Sequence, residues 1–114
     1  MTSTSVPEPF DATQGRLSIT GSVLTVAGEA DVGTVTDLRK TFGVSREELG
    51  GVLAGLKVRE VDMSRATFID SSVVAVLVGL AGAIHPDKLK VVGANGSPLS
   101  TLNILGVADV VDLI

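Results

Sequence analysis

The feature that most restricts the fold is a continuous apolar run at residues 73–84, VVAVLVGLAGAI. Its β-branched residues favour a strand, whereas its length, its Ala and Gly content and the polar cluster Asp70-Ser71-Ser72 in front of it favour a buried, capped helix. The run is too short to span a bilayer and contains two glycines, so it does not fit a membrane helix. We therefore predict a buried helix here.

Short β-rich segments lie on both sides of this helix and indicate the fold class. Residues 58–63, which Asp62 and Ser64 are expected to close, and residues 89–92 are predicted to be strands. A further helix is predicted to begin with Ser97 as its cap and Pro98 at its first position. This order contains two β–α–β crossovers, which require parallel strands and right-handed connections. The sequence thus predicts an α/β fold with a mostly parallel sheet, while residues 110–114 form an apolar segment of undefined type.

The N-terminal half adds a hairpin and two helices. Residues 17–19 and 23–26 predict two strands that are joined by a loop at residues 20–22, and this hairpin is expected at or near an edge of the sheet. Asp31 is predicted to cap the start of the first helix, and Gly43 is predicted to end it. Ser45 and Glu48 predict a capping box at the start of the second helix.

The composition excludes several classes of chemistry. The 114 residues contain no cysteine and one histidine, His85, so thiol chemistry, disulfides and His-pair or Cys-based metal sites are excluded and no cofactor is expected. A net charge of -4 and only three aromatic residues do not fit nucleic-acid binding. No secretory signal or membrane segment is visible, which predicts a cytoplasmic protein with a flexible arm at residues 1–15 and one domain at residues 16–114.

Polar residues collect near the predicted carboxyl ends of two strands. Glu29 and Asp31 follow one strand, and Asp70, Ser71 and Ser72 follow another. Because sites in parallel sheets form at the carboxyl ends of strands, these residues are expected to share one rim, with Ser71 at a helix start. A phosphate on Ser71 would add a charge of roughly -1.5 to -2 there and could switch the surface between binding and repelling a partner. From the spacing alone, plain helix caps at Asp70 and Ser72, and a turn and an N-cap at Glu29 and Asp31, are the more common interpretation.

Four motifs in order resemble the STAS domain family, which comprises the anti-sigma factor antagonists and their relatives. They are LTVAGEAD at residues 24–31, VDMS at 61–64, TFIDSS at 67–72, and LKVV at 89–92 followed by LNILGV at 102–107. The resemblance covers residues 17–114. It implies a mixed sheet with helices stacked on one side.

The resemblance also implies a role in partner switching that regulates transcription in response to stress. In the antagonists, an anti-sigma factor that is a serine kinase phosphorylates the first Ser of the D-S-S motif with ATP. The unmodified antagonist binds the kinase and frees the sigma factor; the phosphorylated form is released, and a phosphatase resets it. By this resemblance Ser71 is the acceptor, Asp70 shapes its loop, and the partner-binding surface includes Glu29, Asp31, Ser72 and Val73. No catalytic residue and no metal are expected.

One residue departs from the family pattern. Val73 stands where the family usually has Gly, and its β-branched side chain is expected to add bulk where a kinase would approach. Two alternatives stay open: a phosphorylation-independent binding or scaffold module, as in stressosome-type or transporter-associated relatives, and a small enzyme or ligand-binding domain that uses the carboxylate rim.

Overall fold

The computed structural model describes residues 14–114, which begin with a tight β-hairpin. Strand β1 spans Arg16–Thr20, strand β2 spans Val23–Ala30, and the two pair antiparallel along the length of β1. Gly21 opens the connecting loop with a φ of 60°, a conformation that glycine adopts at little cost. The predicted hairpin is confirmed. The arm predicted at residues 1–15 lies, apart from its last two residues, outside the described residues.

Two helices connect β2 to the next strand, and both have the predicted caps. Helix α1 spans Val32–Phe42; the Asp31 carboxylate accepts a hydrogen bond from a backbone N–H of its first turn, and Gly43 ends it in a left-handed conformation. Helix α2 spans Arg46–Gly55. At its start the Ser45 N–H donates to Glu48 Oε1 at 2.8 Å, and this hydrogen bond lowers the pKa of the Glu48 carboxyl.

The third strand is longer than the sequence predicts. Strand β3 spans Glu60–Ile69, so that Asp62 and Ser64 lie inside it and do not close it. Relative to β2, it carries one extra residue between Asp62 and Arg65 and another between Ala66 and Phe68, which are β-bulges. Each bulge shifts the inward–outward alternation by one residue. The buried positions therefore do not follow a strand period; they are Val61, Met63, Ala66 and Ile69.

The second half of the chain contains two helices and two strands. Helix α3 spans Ser71–Ile84 and strand β4 spans Leu89–Val92, both as predicted. Helix α4, Gly96–Ile104, starts two residues earlier than Pro98 suggests, because Pro98 is tolerated in a first turn, where backbone N–H groups have no acceptor within the helix. Its N-cap is thus Asn95 and not Ser97. A short 3-10 helix follows, and the segment of undefined type contains strand β5, Val111–Leu113.

The sheet order explains why the helices share one face. The strands lie in the order β1-β2-β3-β4-β5; β1 is an antiparallel edge strand, and the three later pairs are parallel. Because the parallel strands are added in one direction, right-handed crossovers place their helices on the same face. That face is buried, while residues on the opposite face are partly exposed. The predicted fold class, a mixed, mostly parallel sheet with helices on one side, is confirmed.

Candidate functional site

Asp70 links the carboxyl end of β3 to the starts of two helices. Its Oδ1 atom accepts hydrogen bonds from the N–H groups of Ser72 (2.9 Å) and Val73 (3.2 Å) at the start of α3 and from the Ser72 hydroxyl. Its Oδ2 atom accepts from the N–H of Val32, the first residue of α1, at 3.0 Å. Burial favours the neutral acid, but these hydrogen bonds together lower the pKa of Asp70. Through these hydrogen bonds the Asp70 carboxylate holds α1 and α3 side by side.

The two serines after Asp70 lie in opposite environments. Ser72 is buried, with 8% of its surface exposed, and its hydroxyl donates to Asp70. Ser71 is the first residue of α3 and is exposed, and no group in residues 14–114 forms a hydrogen bond with its hydroxyl. Of the pair, Ser71 alone presents a hydroxyl that another protein can reach.

Val73, the residue that departs from the pattern expected from the sequence, points inward. Only 1% of its surface is exposed, and it belongs to the main hydrophobic core. Its side chain therefore adds no bulk outside Ser71, contrary to the expectation from the sequence. Val73 contributes to this region through its backbone N–H, which is bound by Asp70.

Glu29 and Asp31 lie at the carboxyl end of β2, next to Asp70. Glu29 is paired in register with Phe68 of β3, and Asp31 immediately precedes the residue whose N–H binds Asp70. Both carboxylates are exposed, and Asp31 also caps α1 by accepting from the Thr34 N–H at 3.1 Å. The structure thus brings the following predicted residues to one end of the sheet: Glu29, Asp31, Asp70, Ser71 and Ser72.

A cleft of about 440 Å³ lies between α2 and α3 and reaches Ser71. Its lining residues are Arg46, Glu47, Gly50, Ser71, Ser72, Ala75 and Gly79. Sequence reasoning missed Arg46 and Glu47 because their position depends on how closely the two helices pack. A Cβ atom on Gly50 would lie 2.5 Å from the carbonyl carbon of Gly79. Gly50 thus permits the close approach of α2 to α3.

The other side of the rim is acidic and partly apolar. A shallow hollow of about 400 Å³ is lined by three carboxylates, Glu29, Asp31 and Asp37, and by no cationic side chain. Two large apolar residues close to Asp70 are exposed: Val32 to 55% and Phe68 to 42%. Exposed apolar groups between carboxylates suit a protein partner with basic side chains better than a polyanion, which the carboxylates would repel.

Residues 14–114 contain one larger cavity, but neither a candidate metal cluster nor a helix that could cross a membrane. Residues 14–114 contain no group of three or more His, Cys, Asp or Glu side chains that could hold a metal ion. Across the same residues, no helix has the length and apolar character needed to cross a membrane. A cavity of about 600 Å³ lies near His85 and Pro86, at the opposite end of α3 from Ser71.

Comparison with known proteins gives one match. The model of the STAS domain family matches residues 12–114, which is nearly the whole chain. None of the curated proteins compared with the chain matches it.

Proposed function

The chain belongs to the STAS domain family, and on this basis we propose that it is an anti-sigma factor antagonist that is switched by phosphorylation of Ser71. STAS domains mediate protein–protein interactions and are generally binding modules without enzymatic activity. In this role the unmodified protein binds an anti-sigma factor with serine kinase activity and releases the sigma factor. Phosphorylation of Ser71 dissociates the complex, and a phosphatase removes the phosphate and restores the form that binds the anti-sigma factor.

The observation that supports this proposal most is the contrast between the two serines. A kinase needs a hydroxyl that can enter its active site, and Ser71 is exposed at the start of α3, whereas Ser72 is buried and bound to Asp70. Asp70 accepts hydrogen bonds from the N–H groups of Ser72 and Val73 and thereby fixes the backbone that carries Ser71.

The chemical step changes the charge of the surface that meets the partner. The Ser71 Oγ atom attacks the γ-phosphorus of ATP; a new O–P bond forms, the bond to ADP breaks, and the hydroxyl proton passes to a base of the kinase or to water. The product carries a charge of roughly -1.5 to -2 where the protein had a neutral hydroxyl. Because Glu29 and Asp31 already make this rim acidic, the dianion is repelled by carboxylates of its own rim, and a partner surface that closely fitted the neutral serine would have to desolvate it and make room for it, which weakens the complex.

The direct test combines partner capture with a kinase assay. Affinity capture with the wild-type chain, followed by mass spectrometry, is expected to recover a serine-kinase-like anti-sigma factor, and capture with Ser71→Glu much less of it. With the purified partner and ATP, the wild type gains one phosphate and Ser71→Ala gains none. Ser72→Ala is the matched control, since it removes the neighbouring hydroxyl and leaves Ser71 in place. Phosphate on another residue, or none with the captured kinase, would refute the proposal.

The same experiment detects the alternative function. A phosphorylation-independent scaffold module would bind its partner equally well as wild type and as Ser71→Glu. The buried position of Val73 removes the sequence feature that favoured this alternative, because its bulk lies inside the core.

A further inference from the structure

We propose that Arg46 is the internal counter-ion of phosphorylated Ser71, an inference that rests on the proposed function. Arg46 and Ser71 line the same cleft between α2 and α3, and both are exposed. Arg46 is the only cationic residue in this lining. Within residues 14–114 it forms no salt bridge and no hydrogen bond through its side chain, so it is available to a new anion.

The other charged groups at this place are acidic. Glu47 lines the same cleft, Asp70 precedes Ser71, and Asp31 lies at the start of α1, which Asp70 holds against α3. Without Arg46, the one charged side chain left in the lining of this cleft would be the Glu47 carboxylate. An arginine guanidinium can bind two phosphate oxygens at once through parallel N–H groups, which gives this pair a defined geometry as well as attraction.

The pairing has a consequence for the switch. In the unmodified protein Arg46 can contact a partner at the edge of the docking rim. In the phosphorylated protein the same side chain turns toward the phosphate. Phosphorylation then changes the rim twice, since it adds a dianion and withdraws the nearest cation. Arg46 is accordingly a positioning residue for the phosphorylated state and takes no part in phosphoryl transfer.

The test measures the titration of the phosphate itself. Phosphoserine is incorporated at position 71 of the full chain by genetic code expansion, so that no kinase is needed, and its second ionisation is followed by ³¹P NMR at low salt. A nearby cation favours the dianion, so Arg46→Gln should raise the phosphoserine pKa by roughly 0.2–0.7. Arg46→Lys should restore part of the difference, and Glu47→Gln should lower the pKa. Raising the salt to about 0.5 M should shrink all of these differences, because the groups are exposed.

Lys88→Gln is the matched control. It also removes one positive charge, but beyond the far end of α3, a helix of 14 residues that is about 20 Å long. It should therefore leave the phosphate pKa unchanged. Equal phosphate pKa values in wild type and Arg46→Gln, or an equal shift in Lys88→Gln, would overturn the role of Arg46. Neither result would contradict phosphorylation of Ser71 by a kinase. Conversely, a negative kinase assay would contradict the proposed function without changing this measurement, because the phosphoserine is incorporated directly.

Discussion

Removal of the Asp70 carboxylate is expected to destabilise the protein more than removal of any other helix cap that the sequence predicts. The carboxylate accepts hydrogen bonds from the N–H groups of Ser72, Val73 and Val32 and from the Ser72 hydroxyl. Loss of an N-cap costs about 1 kcal/mol, and a buried hydroxyl left without its partner costs a further 1–3 kcal/mol or so. Asp70→Ala should therefore lower the free energy of unfolding by about 2–4 kcal/mol.

Two matched variants separate these effects. Asp31→Ala removes the cap of α1, which is exposed, and should cost only about 1 kcal/mol. Asp70→Asn keeps an oxygen that can accept the cap hydrogen bonds and should cost less than Asp70→Ala. Urea unfolding followed by circular dichroism measures all three variants at one pH. If Asp70→Ala costs no more than Asp31→Ala, the link that Asp70 makes between α1 and α3 contributes nothing to stability, and the reasoning is wrong.

Three further predictions concern helix packing, the core and acid stability. Gly50→Ala should be strongly destabilising, because the new Cβ would lie 2.5 Å from the Gly79 backbone. Gly79→Ala should be tolerated, because its Cβ would lie 3.8 Å from its nearest neighbour. The thermal unfolding temperatures of the two variants test this difference. Val73→Gly, which introduces the family's usual residue, should lower the free energy of unfolding by about 2–4 kcal/mol, because a buried side chain is lost and Gly has a poor helix propensity. In the kinase assay the same variant should not be phosphorylated on Ser71 faster than the wild type. Asp70 and Glu48 have lowered folded-state pKa values, so the stability they contribute is present above their unfolded-state pKa values and is lost as the pH falls below about 4.5. Urea titrations between about pH 3 and 6 should show this loss, and it should be smaller in Asp70→Asn.

The elements that the sequence predicts correctly are those whose signals are local. Asp31, Ser45 and Asp70 each occupy an N-cap position in the structure, and the apolar run after Asp70 forms the buried helix α3. Helix capping depends on residues within one turn, so a side chain and its acceptor or donor are near each other in the sequence itself. The α/β class followed because β–α–β order permits few arrangements.

The predictions that fail depend on contacts between distant segments. The length of β3 could not be read from the sequence because its two bulges, which are defined only against β2, break the period of its buried residues. The start of α4 was misplaced because Pro98 fits any position in a first turn, so it does not identify the cap.

The sequence by itself determined the fold class, the N-caps of α1, α2 and α3 and, through its resemblance to the STAS family, the serine to examine. Only the tertiary structure decided that Ser71 is exposed while Ser72 is bound, that Val73 faces the core, and that Arg46 and Ser71 line the same cleft. The physical reason is that exposure and proximity arise when helices pack against a sheet and against one another. A segment carries its capping pattern alone, but which of its side chains meets solvent depends on what covers the others.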